Sequence, residues 1–302
     1  MIQYVQRKHL DDSKYDFCIE NAVQSKVYAF SWYLDVVTDN WDVLVLDDYK
    51  AVMPVPWRTK FFIKYGYPPF WILELGVFSL YEKIDTQSFL DVLYGKFRFI
   101  ESRLNTANTL FKTSQYLLNK QMQVLSLNLD YDVILKNFRK DRRKDLGRAN
   151  TLGLKQKWGD APEKLTTLFK NNVGQRTPNI TEVDYQVLKK LMNLCLVKKI
   201  GEILSIYDAE DHLVASGFFL KHKKTVTLLV SSTDFKNRKN GANTFLINSA
   251  IYKYQKDFEV FNFGGSSMQS IAKYFLSFGA KTLNYQQIKY HNLPYLIALF
   301  KH

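Results

Sequence analysis

Cysteine is scarce in this 302-residue chain: Cys18 and Cys195 are its two, far apart in sequence. They offer neither a disulfide framework nor a CxxC metal or redox pair, so a reducing cytoplasm is the simplest compartment. The histidines, His9, His212, His222, His291 and His302, show no HxxxH or HxH spacing. A zinc site would therefore need ligands gathered from distant segments, and no metal is expected. No window approaches the roughly 18 unbroken apolar residues of a spanning helix, and the opening "MIQYVQRKHLDDSKYD" lacks a leader's apolar core. A soluble protein without a membrane span is the expectation. GxGxxG is missing, which removes a dinucleotide fingerprint, and a serine-hydrolase elbow GxSxG fails because position 268 is Met268.

Aromatic residues, by contrast, make up 15% of the chain, and most of these rings must be core. The formal charge is +13. Such an excess suits either a polyanionic partner or plain solubility. Much of it is local, since "KNFRKDRRKDLGR" (136–148) holds seven Lys or Arg against two Asp. That helix is either a docking surface or a solvated helix with Leu135, Phe138, Leu146 and Ala149 packed inward.

Pattern and turn chemistry divide the chain at about residue 150, giving domains 1–149 and 150–302. From "LKQKW" onward the expected order is β-α-α-β-β-β-α-β-α-β, ending in "EVFNF", the helix "SSMQSIAKYFLSF" and the strand "KTLNYQQIKY". The first half repeats that order loosely. It shows a strand "IQYVQRK", helices "DSKYDFCIENA" and "AFSWYLDVVT", and a hairpin "WDVLVLDD"–"KAVMPVPWRT". A strand "WILELGVFSL", a helix "TQSFLDVLYGKFRFIESRL", strands "SQYLLNK" and "QVLSLNL" and the basic helix follow.

Three features of the second half carry chemistry. "NRKNGAN" precedes a helix whose first-turn N–H groups point outward, a geometry suited to a pyrophosphate, with Arg238 and Lys239 adding charge and Gly241 allowing close approach. In "FNFGGSS" a strand ends in Gly264–Gly265, and Ser266 with Gln269 forms a capping box. The next helix puts Met268, Ile271, Phe275 and Phe278 on one core-facing side, with Tyr274 on its flank and Gly279 as C-cap. Each also has a purely structural reading as turn, loop or core.

The element order, with a basic glycine-bearing loop opening its third helix, resembles the GNAT acyltransferase fold. That family's donor loop reads [RQ]xxGx[GA]; Arg238, Gly241 and Ala242 match as far as "RKNGA", whereas Asn243 departs from it. The doubled architecture and "FNFGGSSMQSIAKYFLSFGA" resemble the tandem-domain FemABX-like branch, which includes aminoacyltransferases that use aminoacyl-tRNA to build cell-wall peptides. The resemblance implies an α/β (α+β mixed sheet) fold class: two tandem GNAT-like domains, each a central mixed, mostly antiparallel sheet flanked by helices. It also implies a bacterial source. Many simpler GNAT enzymes place a tyrosine four residues before the glycine that ends this helix, as acid for the CoA thiolate; this chain has Phe275, with Tyr274 rotated about 100° away.

The resemblance implies direct transfer of an acyl or aminoacyl group to an amine. "TVTLLVSS" would splay from "EVFNF", and the freed N–H groups would polarise the acyl carbonyl, a role whose loss costs roughly a hundredfold in rate. Ser231, Asn262 and Tyr274 are the catalytic candidates, with Ser232 facing the same cleft. The donor would lie on Arg238, Lys239, Asn240, Gly241, Ala242, Asn243, Gly264 and Gly265. Trp32, Tyr33, Tyr65 and Tyr67 are candidates for an acceptor pocket, and Arg139, Arg142, Arg143 and Lys144 for carrier docking. No carboxylate is an obvious base, Asp234 and Glu259 being the nearest in sequence, so a water would serve. No tightly bound cofactor is expected; the donor is acyl-CoA, aminoacyl-tRNA or an acyl carrier protein. A second class stays open, a non-catalytic GNAT-fold binding or regulatory protein that holds nucleic acid through the basic helix.

Overall fold

The computed structural model of the chain describes residues 1–108, 110, 115–265 and 268–292. In chain order the first elements are β1 (Ile2–Gln6), α1 (Asp12–Asn21), α2 (Ser31–Val37), β2 (Asn40–Leu46), β3 (Ala51–Lys60), β4 (Ile63–Gly66), β5 (Phe78–Ser79), α3 (Thr86–Lys96), β6 (Phe99–Arg103) and β7 (Leu117–Ser126). There follow α4 (Tyr131–Lys136), α5 (Lys140–Thr151), β8 (Lys155–Trp158), α6 (Pro162–Asn171), α7 (Glu182–Val197), β9 (Gly201–Tyr207), β10 (Leu213–His222) and β11 (Thr225–Thr233). The chain continues through α8 (Ala242–Tyr254), β12 (Val260–Gly265), α9 (Gln269–Leu276) and β13 (Lys281–His291).

Two compact units result, Met1–Lys120 with the chain from Asn284 on, and Gln121–Leu283. This division differs from the expected cut at 149/150. The first unit takes its last strand from the far end of the sequence, and the second, one contiguous segment, begins within β7 and includes the basic helix.

In the first unit the strand order is β1-β2-β3-β4-β6-β13, with β5 on β3. All pairings are antiparallel except β4 with β6. Its core joins Leu44, Met53, Val55, Phe89, Leu93, Ile100 and, from the last strand, Ile288. The expected strand "WILELGVFSL" forms only the short β5. Side-chain amides satisfy its backbone instead of a ladder: Asn108 Oδ1 accepts from the Val77 N–H at 2.6 Å, and Asn105 Nδ2 donates to the Leu75 and Val77 carbonyls at 3.0 Å. The helix expected through residue 104 stops at Lys96. Beyond it the pattern has period two, with Ile100, Ser102 and Leu104 buried, and the segment becomes β6.

The second unit has the order β7-β12-β11-β10-β9-β8, with one parallel pair, β11 and β12. The elements expected between residues 154 and 276 all appear here, whereas the last, "KTLNYQQIKY", becomes β13 and pairs with β6 of the first unit. Pro162 occupies the first turn of α6, and Thr181 with Asp184 forms the capping box of α7. The basic segment breaks between α4 and α5 because Phe138 turns inward, edge-on to Phe278 at 5.0 Å, while the Arg139 N–H donates to the Ser277 carbonyl at 2.8 Å. Leu135, Leu146, Phe138 and Ala149 face the core, as the amphipathic reading requires.

At one end of this sheet Glu202 accepts from Lys221, Lys253 and Tyr254 at 2.7–2.9 Å. Burial alone would raise its carboxyl, but the two ammoniums and the phenol outweigh burial and hold it at about 2, against an ordinary 4.5. A depressed folded-state value stabilises the fold above the ordinary range, and the contribution is lost as pH falls from about 4.5 toward about 2. Glu202→Gln should flatten this part of the acid branch, removing about 2–3 kcal/mol of pH-dependent stability, as measured by urea unfolding at a series of pH values.

Candidate active site

The second unit holds a parting of strands. β11 and β12 pair only through Thr225–Val260, Val226–Phe261 and Thr227–Asn262, although β11 continues to Thr233 and β12 to Gly265. Both bordering strands are irregular at that level. On β11, Phe219 pairs with Leu228 and Phe218 with Val230, which leaves Leu229 as a bulge. On β12, Asn262 pairs with Val124 of β7 and Gly265 with Met122, so that Phe263 and Gly264 stand opposite Gln123 alone. The expected splay of "TVTLLVSS" from "EVFNF" is therefore present. Beyond Thr227 no ladder bond joins the two strands among the described residues, and such freed backbone groups are donors and acceptors for a ligand.

Asn262 shapes the end of β12. It is 4% exposed, and its Oδ1 accepts the Gly264 N–H at 2.8 Å, with Gly264 in the left-handed region at φ +78°. Ser231 is half-buried on β11, four residues past the last paired position, whereas Ser232 points the other way and donates to the Leu168 carbonyl at 3.2 Å. Ser232 thus packs on α6 and does not face the parting. Tyr274 bonds Thr244 Oγ1 at 3.1 Å, and the Arg142 guanidinium carbon lies 4.6 Å from its ring centroid. Burial pushes the Tyr274 phenol up, so at neutral pH it is a proton donor and not a base. Among the described residues no hydrogen bond joins Ser231, Asn262 and Tyr274.

Gln123 was not singled out from the sequence. It is 0% exposed, and among the described residues neither its Nε2 nor its Oε1 has a hydrogen-bond partner. The signal lay in the alternation of "QVLSL", where Gln123 shares a core-facing side with Leu125 and Leu127. A buried amide left unpaired costs about 1–3 kcal/mol, and this one lies opposite the β12 bulge beside the parting.

The helix start at α8 is built differently from the expected pyrophosphate cradle. Phe235–Asn240 form a 3-10 turn in which the Arg238 guanidinium carbon sits 3.5 Å from the Phe235 ring centroid, with Arg176 at 4.2 Å. Asn240 Oδ1 accepts the Ala242 N–H at 2.8 Å, and the Lys239 carbonyl accepts from Arg148 at 2.7 Å. Gly241 has φ +83°, and a Cβ there would overlap the backbone oxygen of Asp145 on α5. The close approach expected of this glycine is made by the chain's own helix. Asp145 Oδ2 then accepts from Thr244 Oγ1 at 3.3 Å and from Arg142 Nη1 at 3.0 Å, which puts a carboxylate where the helix favours an anion. Asn243, at the position where the family pattern has Gly or Ala, helps hold the Tyr274 hydroxyl.

This network also removes Arg142 from the docking face. Its side chain is 13% exposed, whereas Arg139, Lys140, Arg143 and Lys144 are exposed, Arg139 being paired with Asp141 and Arg143 donating to the Lys136 carbonyl. The charge excess belongs to the same unit: residues 1–120 hold fourteen basic and fourteen acidic side chains, residues 121–283 twenty-six and fifteen. Of the acceptor candidates, Tyr33 is core, 0% exposed, its hydroxyl donating to the Trp71 carbonyl at 2.6 Å. Trp32 packs edge-on to Tyr33 at 5.5 Å and Tyr65 on Phe99 at 6.1 Å. The Tyr67 hydroxyl accepts the Asp39 N–H, and its ring lies 4.1 Å from the Arg58 guanidinium carbon. The Ser266 cap lies outside the described residues; α9 starts at Gln269 after Met268, and Met268 and Ile271 are exposed, so only Phe275 and Phe278 of the expected face join the core.

Two mixed, mostly antiparallel units, one with a parting beside its parallel pair, define a tandem GNAT-like fold of the FemABX type. Among solved structures, FemX superposes with a TM-score of 0.66 at 10% identity, covering 99% of this chain and 100% of that one. A tandem GNAT protein from the clavulanic acid biosynthesis pathway gives 0.58 at 8% identity, with 97% and 99% covered. The C-terminal domain of a putative lysylphosphatidylglycerol synthetase from Agrobacterium fabrum gives 0.59 at 11% identity, with 96% and 94% covered. At such identities the likeness establishes the fold. No protein-family model and no curated protein matches the sequence.

The α5–α8 contact makes a contrast that mutagenesis can read. Gly241→Ala should cost at least about 2 kcal/mol from backbone strain and overlap. Arg142→Ala should cost roughly 1 kcal/mol or more, since Asp145 loses its less exposed cation and keeps Thr244 and the half-exposed Arg148 at 3.2 Å, whereas Lys144→Ala should leave the urea midpoint unchanged.

Proposed function

We propose that this protein transfers an acyl or aminoacyl group from a macromolecular carrier, a tRNA in the first instance, to an amine acceptor. The observation that carries the reading is the parting of β11 and β12 after Thr227–Asn262, bordered by the Leu229 bulge and the Gly264 turn. The acyl carbonyl would lie against the freed N–H groups of β11, which stabilise the oxyanion as it forms. The acceptor's neutral amine attacks the carbonyl carbon, the bond to the carrier oxygen breaks, and a water relays the amine's proton to that departing oxygen, which leaves as a hydroxyl. Gln123 would give its unpaired amide to the substrate beside the bulge. Ser231 would face the substrate from β11, and Tyr274, its phenol kept protonated by burial, would serve as a proton donor.

A tRNA donor is favoured over CoA by the start of α8. There the α5 backbone at Asp145 packs against Gly241, and Arg142 and Arg148, two cations beside that terminus, are already paired with Asp145, which leaves less room and less free charge for a diphosphate. The exposed face of α5, with Lys140, Arg143 and Lys144, lies in the unit that carries the charge excess and suits a phosphate backbone. That this chain shares its fold with FemX, a tandem GNAT protein and a putative lysylphosphatidylglycerol synthetase domain supports acyl transfer at the level of the fold. A binding-only reading has one observation in its favour, the separate structural partners of Asn262 and Tyr274.

Filter binding with a mixed aminoacyl-tRNA pool tests the donor. Binding should weaken steeply with salt, and the Lys140→Glu/Lys144→Glu variant should lower the log–log salt slope by about 2. Acetyl-CoA should leave the melting temperature unchanged. A CoA-induced rise, or an unchanged slope in the variant, rejects the tRNA donor; binding without transfer to any amine acceptor supports the binding-only reading.

A further inference from the structure

The hairpin β3–β4 closes at the pair Lys60–Ile63, so its turn consists of Phe61 and Phe62 alone. Both have left-handed backbones, φ +49° and +62°. Two-residue turns of this kind favour Asn and Gly, because a bulky side chain crowds the adjacent carbonyl at positive φ. Here the least suitable residue type occupies both positions. Burial does not explain the choice, since Phe62 is 103% exposed and Phe61 65% exposed. Of the hairpin's cations, Lys60 accompanies the turn, its ammonium 5.7 Å from the Phe61 centroid, whereas Arg58 lies over Tyr67 and pairs with Asp39, and Lys64 lies over Trp57 and pairs with Asp42.

A strained turn that holds two rings out in water implies a partner that receives them. Stacking on nucleic-acid bases needs a surrounding cationic groove, and residues 1–120, which supply this hairpin, carry no net charge. A stable protein interface buries about 800 Å² on each side, and two phenylalanines contribute about half of that at most. A bilayer interface asks for less: apolar rings at a protruding tip, with a lysine stem that keeps its ammonium at the headgroups. We infer that the Phe61–Phe62 turn is a wedge that inserts into the headgroup–acyl boundary of a lipid bilayer. The inference is independent of the transferase reading.

Co-sedimentation of the full chain with phosphatidylcholine vesicles, with and without phosphatidylglycerol, tests it. The wild type should sediment with both, and the pure phosphatidylcholine arm should be insensitive to salt. Phe61→Asn/Phe62→Gly installs the residues the turn favours, so it should fold with a raised melting temperature while its partitioning falls roughly tenfold or more. Failure of the wild type to bind phosphatidylcholine overturns the inference, as does unchanged binding by the double variant. Binding confined to anionic vesicles and retained by the variant comes from the basic second unit, and overturns it too. A wild-type dimer in light scattering that the variant dissolves assigns the turn to a second copy of the chain, again against the lipid.

Discussion

The arrangement of the second unit depends on where one parallel ladder stops. Up to Thr227–Asn262 the two strands satisfy each other's backbone; past it, a bulge on β11 and a glycine turn on β12 send them apart. Both devices are local and inexpensive, one extra residue and one left-handed glycine, yet together they accompany the end of the β11–β12 ladder among the described residues. The core beneath, from Phe219 through Phe261 and Phe263 to Phe278, is densely aromatic and holds the parted ends rigidly. Such support is what the proposed transfer would require, since its backbone donors must be aimed before a substrate arrives.

A second constraint acts from α5. The helix start at α8 would attract any anion of suitable size, and the chain supplies one of its own in Asp145, fastened by Arg142 and Thr244. This changes the meaning of the basic segment. Arg142 is internal wiring that holds a helix against Gly241, whereas Lys136, Arg139, Lys140, Arg143, Lys144 and Arg148 are exposed, Arg139 and Arg148 being paired with Asp141 and Asp145. A run of like charges in a sequence is thus a mixture of two populations, divided by helical phase.

The second unit was legible because its signals are local. Period-two strands, Pro162 at a helix start, the Thr181–Asp184 box and the glycine-ended strand β12 each announce themselves within a few residues. Misreadings arose wherever a distant partner decided the outcome. "WILELGVFSL" has strand composition, but Asn105 and Asn108 intercept its hydrogen bonds. Tyr33 looked like a pocket ring until the Trp71 carbonyl claimed its hydroxyl. Gly241 and Asp145 are nearly a hundred residues apart, and no spacing rule links them. Gln123 was visible as a polar residue on an apolar face, a signal weaker than the glycines beside it but tied to a more specific physical anomaly.

The return of β13 to the first unit's sheet has a consequence for how the molecule comes into being. The first unit's sheet ends in β13, and Ile288, fully buried, belongs to its core. During synthesis this N-terminal unit stays one strand short until the whole second unit has emerged, at a lag of tens of seconds at ordinary translation rates. β7, by contrast, is already present when β12 appears. The usual order is inverted: the domain that begins first is completed last, and an unpaired β6 edge waits on the nascent chain for its partner.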